Sequence, residues 1–379
     1  MFRSLVTGSA VLSVAVLGCA EPSDSADTNP VERSPVSDGP FKPAGLEDTI
    51  EVFAGELDRA EAAELRLGVA LGSGNPAWGL VQTGVERAFA ELGARGVVTA
   101  ASEAEQAEFV KQEREEASNG IGVAPLSSSL EKEAERARDA GIPVVTIESD
   151  LRSERELFIG FGQDELGQRL GDVVTGATDL RVGNVIILGA DDAGISAAGY
   201  LRSMGAKGVL EEAGFDVVIR NSSAAADGEA HDVEMLKADL LGTPKPLAVL
   251  GVLETSYRVA FAARDAERAL AAGAGAGEGE APSGLVRFKN VPFVAYGLEA
   301  ATLDALRDGI LYATLAERRH YMGYAVPYVL AGLSLLGVER TKYILTPHLL
   351  EDGTLDVGVD VIRGADLDAY LEFQEQLAP

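Results

Sequence analysis

A chain of 379 residues, 46% of them apolar, has length for about two domains and enough apolar material to bury real cores. Its 60 Asp and Glu against 32 Lys and Arg give a formal charge of -28, which excludes the basic patches that grip nucleic acid or anionic lipid. A single cysteine, Cys19, excludes an intramolecular disulfide.

In chain order, the first segment is a targeting signal. Arg3 precedes an apolar run from Leu5 to Leu17, followed by Gly18-Cys19. The run falls short of the about 20 residues that a spanning helix needs and fits a secretory signal. Val16-Leu17-Gly18-Cys19 resembles the lipobox of bacterial lipoproteins. That resemblance implies a signal peptide over 1–18 and a diacylated Cys19 that anchors the mature chain to a membrane; the alternative is an ordinary cleaved signal or a packed cysteine. Residues 20–44 are rich in Pro, Ser and Asp and show no apolar period, which predicts a disordered tether. Leu46 to Leu65 carries Ile50, Phe53, Leu57 and Ala60 at helical spacing and reads as a leading helix.

From Arg66 onward short apolar runs alternate with amphipathic segments. Leu67 to Leu71 meets a small-residue turn, Gly72 to Pro76, and then Trp78, Val81, Val85, Phe89 and Leu92 recur at three- and four-residue spacing. This predicts a strand over 66–72, a loop at its carboxyl end and a helix over 78–93. The alternation continues with strand 96–100, helix 103–118, strand 121–124, helix 128–139 and strand 142–147. A second series follows: strand 156–160, helix 164–177, strand 183–189, helix 195–213, strand 215–220, helix 230–240 and strand 247–252. Helix 256–272, strand 291–296, helix 299–308, strand 311–316 and helix 320–336 complete it. Short buried strands separated by helices indicate α/β architecture with parallel sheets, and so many strands imply two doubly wound lobes. Two stretches break the pattern, Asn221 to Gly228 and the low-complexity Ala271 to Gly284 (AAGAGAGEGEAPSG), and both read as surface loops.

Five segments in order, GSGNPAW, GIPVVTIESD, FIGFGQDELGQRLGD, NVIILGADDAGISAAGYLRSMGAKGVLEEAGFDV and FVAYGLEAATLDALRDGILYATLAERRHYMGY, resemble the signature segments of type I periplasmic binding proteins. Among these they are most similar to the ribose- and galactose-type sugar receptors of ABC transporters. The resemblance implies two lobes joined by three crossover strands, one at 65–161 plus 318–345 and the other at 162–317 plus 346–379. The crossings are expected near 161–163, 317–318 and 346–350, with residues 19–64 standing between the anchor and the first lobe. It further implies that a ligand, a sugar in the first instance, closes the lobes about the hinge, and that an ABC permease reads the closed form. The expected protein is a monomer in the bacterial cell envelope, anchored through Cys19 and without cofactor, metal or nucleic acid.

A sugar is held by amides, carboxylates and Arg forks around its rim and by aromatics against its face. The resemblance places Asn75 and Trp78 in the loop after the first strand and Glu148 where sugar receptors usually carry an Asp; Asp150 lies nearby. Trp78 would alternatively staple its helix to the sheet. Across the cleft, Arg202 matches an Arg three residues before a Gly, and Thr255 and Ser256 stand where the family commonly has an Asn. Three positions depart from the pattern. The Asp expected at the end of strand 291–296 is Gly297, with Leu298 and Glu299 beyond it. The crossover Gln is Glu317, and the following Gln-Pro is Arg318-Arg319. Glu148, Glu317 and Glu299 around one arginine would favour a ligand with a positive or strongly donating group.

Enzyme readings find little support. His231, His320 and His348 form no metal-ligand pattern, there is no GxSxG elbow, and Gly72-Ser73-Gly74 lacks the completion of a phosphate loop. The same fold serves repressor effector domains, but here an apolar signal and acidic tether stand in place of a DNA-binding helix pair. A ligand-sensing lipoprotein that signals to a membrane kinase or chemoreceptor is the remaining alternative to transport.

Overall fold

The computed structural model describes residues 29–33, 40–74, 77–151, 154–178, 183–221, 229–241, 246–259, 261–262 and 291–377. Cys19 and the signal, Asn75, residues 222–228 and the low-complexity stretch at 271–284 lie outside the described residues.

After α1 (Ala44–Glu56) and α2 (Arg59–Glu64), the chain alternates β1 (Arg66–Gly72), α3 (Trp78–Leu92), β2 (Arg95–Ala101), α4 (Glu103–Glu115), β3 (Gly120–Val123), α5 (Glu131–Asp139), β4 (Val144–Ile147) and β5 (Leu157–Gly160). The pattern repeats as α6 (Gln163–Ala177), β6 (Asn184–Gly189), α7 (Ala197–Glu212), β7 (Asp216–Asn221), α8 (Glu229–Leu241), β8 (Ala248–Gly251), β9 (Phe293–Tyr296), α9 (Ala300–Arg307) and β10 (Ala313–Glu317). Then come α10 (Arg319–Leu335), α11 (Val338–Leu345), β11 (Thr354–Asp356), β12 (Val359–Arg363) and α12 (Leu367–Leu377).

Two six-stranded sheets result, ordered β11-β5-β4-β3-β1-β2 and β12-β10-β9-β8-β6-β7. Among the described residues the strands of these sheets pair in parallel, except β12 against β10. The central strands are buried on both faces, β1 from Leu67 to Gly72 and β3, β4 and β8 throughout, which is why they read as continuous apolar runs rather than alternating ones. The helices bury a stripe, as α3 does with Val81, Val85, Ala88, Phe89 and Leu92. α4 starts at a capping box between Ser102 and Glu105.

Each lobe contains one helix pair in backbone contact. A Cβ built on Gly323 of α10 would run into the Val81 carbonyl of α3, and one on Gly84 into the His320 carbonyl. In the second lobe Gly167 of α6 abuts the Arg202 carbonyl of α7, and Gly205 abuts that of Asp164. These contacts fix the N-terminal halves of α6, α7 and α10, which carry Gln163, Arg202 and Arg319.

The C-terminal segment departs from expectation. Residues 346–379 do not all join the second lobe, because β11 extends the first sheet beside β5, with Leu355 opposite Ile159. The third crossing is therefore Val357-Gly358 rather than 346–350. Gly358 makes that turn at φ +75, and the neighbouring crossing residue Arg318 donates from Nε to Asp360 Oδ1 at 2.8 Å, tying two crossings together. The tether also differs from expectation in its described parts. Val31 and Phe41 are buried, and Val31 N–H donates to the Ala54 carbonyl. Isolated apolar residues in a Pro- and Ser-rich stretch leave no period to read, yet each finds a seat on the folded lobes.

Candidate functional site

The carboxyl ends of strands from both sheets meet at Arg319, the first residue of α10. Its Nη1 lies 3.3 Å from Glu148 Oε1, past the end of β4, close enough for an ion pair but poorly aligned for a hydrogen bond. Its Nη2 lies 2.7 Å from Glu317 Oε2 at the end of β10 and 3.6 Å from Glu254 Oε1 past the end of β8. Glu148 belongs to the first lobe, and Glu254 and Glu317 come from strands of the second. A cation at a helix N-terminus opposes the macrodipole, so these carboxylates, not the helix, hold the guanidinium in place.

The network continues into the second lobe. The Tyr296 hydroxyl donates to Glu317 Oε1, and the Arg202 guanidinium lies over the Tyr296 ring at 4.1 Å. Arg202 Nε donates to Gln163 Oε1 at 2.6 Å, and Nη1 to the Val252 carbonyl at 3.2 Å. Gln163 and Glu317–Arg319 flank two of the three crossings, so the polar chain from Glu148 to Gln163 runs through the hinge.

Glu148 takes a left-handed backbone conformation, φ +60, which a non-glycine residue rarely adopts; its N–H donates to the Ile159 carbonyl at 3.0 Å. Burial raises its carboxyl above the ordinary range; Arg319 pulls it back, while Glu317 and Glu254 push it further up. Burial works against the charge on Arg319, but Glu317, Glu148 and Glu254 outweigh it and hold the guanidinium protonated. A carboxyl that is raised on folding binds its proton more tightly in the folded chain. Its stabilising contribution is complete below the unfolded value and is lost as pH rises through the folded one. Glu148→Gln is accordingly expected to match the parent near pH 4 and to melt higher near pH 7. Thermal melts across pH check this, and a variant melting lower at pH 7 would show that the Arg319 contact outweighs burial.

One cavity opens at the arginine and a second at its partner Glu148. The first, of about 450 Å³, is lined by Ala77 and Leu80 of the first lobe and by Glu254, Gly297, Glu299, Glu317, Arg319, Tyr370 and Gln374. The other, of about 620 Å³, is lined by Glu148, Asp150, Phe161, Gln163, Asp164, Leu201 and Leu350 among others. Both fall in the range that small-molecule sites occupy. Leu126, Ile195 and Leu201, on or beside strand-end loops of the two lobes, are exposed large apolar side chains.

Of the residues singled out in the sequence, Glu148 and Glu317 share the arginine ring and Glu299 lines the smaller cavity. Asp150 lines the larger cavity, but its carboxylate is engaged by Arg155 at 2.7 and 3.0 Å and by the Thr146 hydroxyl at 2.9 Å. Trp78 lies against Gly72 at the end of β1, where no Cβ would fit beside its indole. Arg202 donates to Gln163 and to the Val252 carbonyl and lies over Tyr296. The Ser256 hydroxyl is buried, donating to the Leu188 carbonyl and accepting from Leu253 N–H, so it holds the strand-end turn. Thr255 is half-buried beside it. Gly297, in the place of the missing Asp, has φ +95, and its Cα faces Glu254.

Glu254 and Arg319 were not singled out as ligand residues. Glu254 could have been found, since it directly precedes Thr255 at a strand end. Nothing in the Arg318-Arg319 pair says that the second enters the cleft while the first turns to Asp360.

The sequence matches a family described as periplasmic binding protein domain over residues 69–335. No curated protein matches it. Among solved structures, a periplasmic ribose ABC transporter protein from Conexibacter woesei is 16% identical, with TM-score 0.62 over 83% of this chain and 98% of that one. An arabinose-binding protein from Geobacillus stearothermophilus is 19% identical, with TM-score 0.61 over 80% and 98%. A XylFII protein in complex with LytSN is 20% identical, with TM-score 0.59 over 80% and 99%. At such identities the likeness carries the fold.

Proposed function

The chain belongs to the periplasmic binding protein family, and on that premise we propose that it captures a sugar between its lobes and delivers it to an ABC permease. The family is one of solute-binding proteins rather than enzymes and implies a place outside the cytoplasm. A Cys19 lipid anchor would hold the receptor at the membrane. The observation that carries the reading is the ring around Arg319: residues from both lobes converge at strand ends, beside the crossings, with one cavity at Arg319 and another at Glu148. Three carboxylates against one guanidinium leave an acidic centre, which favours a sugar carrying an amine or several strong donors and disfavours anionic sugars.

A thermal-shift screen over pentoses, hexoses, hexosamines, sugar acids and nucleosides tests it. Saturation at about 100 times Kd adds about 2.7 kcal/mol, a rise of several degrees. Hexosamines should give the largest shift and sugar acids none; a sugar acid as the strongest ligand would overturn the charge argument, and silence from every sugar would overturn the sugar reading. The likeness to the XylFII–LytSN complex favours one second reading, a receptor that passes closure to a signalling partner. Co-purification with a permease or with a kinase separates the two.

A further inference from the structure

The described stretches before α1, 29–33 and 40–43, are seated on both lobes. On the first lobe, Asn29 and Pro30 are joined to the start of α2, the Asn29 carbonyl accepting from Arg59 N–H at 2.9 Å and Pro30 bridging to Asp58. Arg33 is nearly buried: Nε donates to the Tyr324 hydroxyl of α10 at 3.0 Å, Nη1 donates to the Glu47 carbonyl at 2.9 Å, and Nη2 pairs with the Glu47 carboxylate. Phe41, a few residues later, sits elsewhere. Its ring meets Tyr370 edge-on at 5.1 Å and Phe373 at 6.3 Å. Both belong to α12, which packs on β12 and α9 of the second lobe and reaches α3 across the seam. Within three residues the chain returns to the first lobe, where α1 packs on α10 and α11.

We infer that the described stretches 29–33 and 40–43 act as the two ends of a strap across the hinge, pinned to the first lobe by Arg33 and to the second by Phe41, so that opening and closing of the cleft is coupled to the chain's N-terminal lead. Tyr370 makes the coupling direct: the ring that touches Phe41 also lines the smaller cavity beside Arg319. A buried aromatic contact and a part-buried arginine with three hydrogen bonds are too costly to break at every closure, so the strap sets which interlobe angles are reached. If Cys19 is lipidated, lobe motion and membrane leash share this one segment. The inference rests on the hinge part of the functional reading and not on the identity of the ligand.

Spin labels on Glu115→Cys of α4 and Glu212→Cys of α7, both exposed, in a Cys19→Ser full-length background, report the interlobe distance by pulsed dipolar spectroscopy. Phe41→Ala should shift or broaden the distribution relative to the parent, whereas Phe41→Leu, which keeps most of the burial, should stay close to it. Arg33→Gln reads the same tie from the other lobe and serves if Phe41→Ala does not fold. With a hexosamine that the thermal-shift screen has identified, release of the strap should change Kd about fivefold or more, the usual size of coupling between sites. Several interlobe distances in the parent, unaltered by Phe41→Ala and Arg33→Gln, would overturn the strap and leave the hinge standing. One narrow distance in every protein, with ligand and without, would overturn both.

Discussion

Gly323→Ala should destabilise the protein by about 3 kcal/mol or more, although alanine is the better helix former by about 1 kcal/mol. The reason is the contact between α10 and α3. The new methyl would meet the Val81 carbonyl, and the reciprocal position Gly84 already faces the His320 carbonyl, so neither helix has side-chain slack to absorb it. Backbone cannot rotate away as a side chain can; the helices must part, opening voids around Val85, Tyr324 and Val326. Gly79, on the same helix α3 with open space about its Cα, is the control: Gly79→Ala should be neutral or stabilising. Urea unfolding measures both. Equal effects at the two positions would mean that the helices are not in backbone contact. Because α10 begins at Arg319 and α3 at Trp78, parting them should also weaken ligand binding in whatever protein remains folded.

Strands and helices were legible wherever burial was two-sided or periodic. Leu67 to Leu71 and Val144 to Ile147 announce themselves because parallel strands covered on both faces need apolar residues at every position. Thr354-Leu355-Asp356 could not be assigned that way. Three residues carry no pattern, and the choice of sheet was made by Phe158 to Gly160 lying open beside them and by Gly358 turning the chain afterwards. The cleft followed the same division. Glu148 and Glu317 stand at strand ends and were placed there by the resemblance to sugar receptors. Asp150 looked equally available until Arg155, five residues on in the same loop, took both its oxygens. Arg202 kept its place on α7 but spent its fork on Gln163 and Val252, partners that sequence cannot bring together. Val31 and Phe41 were lost in a disordered composition because a strap needs only occasional anchors.

Arg319→Gln is expected to cost about 3 kcal/mol at neutral pH, because it strands carboxylates that are buried or half-buried around one cation. The cost should depend on pH, with its sign fixed by Glu148. That carboxyl is already raised by burial with Arg319 pulling it down; without the guanidinium it rises further, as Glu317 and Glu254 then act unopposed. A carboxyl with a raised value loses its stabilising contribution as pH climbs through that value, so the variant should fall furthest behind the parent at pH 7 to 8. Near pH 4, where Glu148 holds its proton in both proteins, the gap should narrow. Arg319→Lys keeps the charge but gives up the fork, and should fall between the two. Melts from pH 4 to 8 decide it, and a gap that stays constant across that range would mean the ring is not electrostatically coupled. Ligand binding gives an independent reading of the same charges. Removing the internal cation should tighten binding of an amine-bearing sugar relative to its neutral parent, since the ammonium then replaces the guanidinium among Glu148, Glu254 and Glu317. A hexosamine and its parent hexose that lose affinity equally would mean that Arg319 serves the hinge alone and takes no part in choosing the ligand.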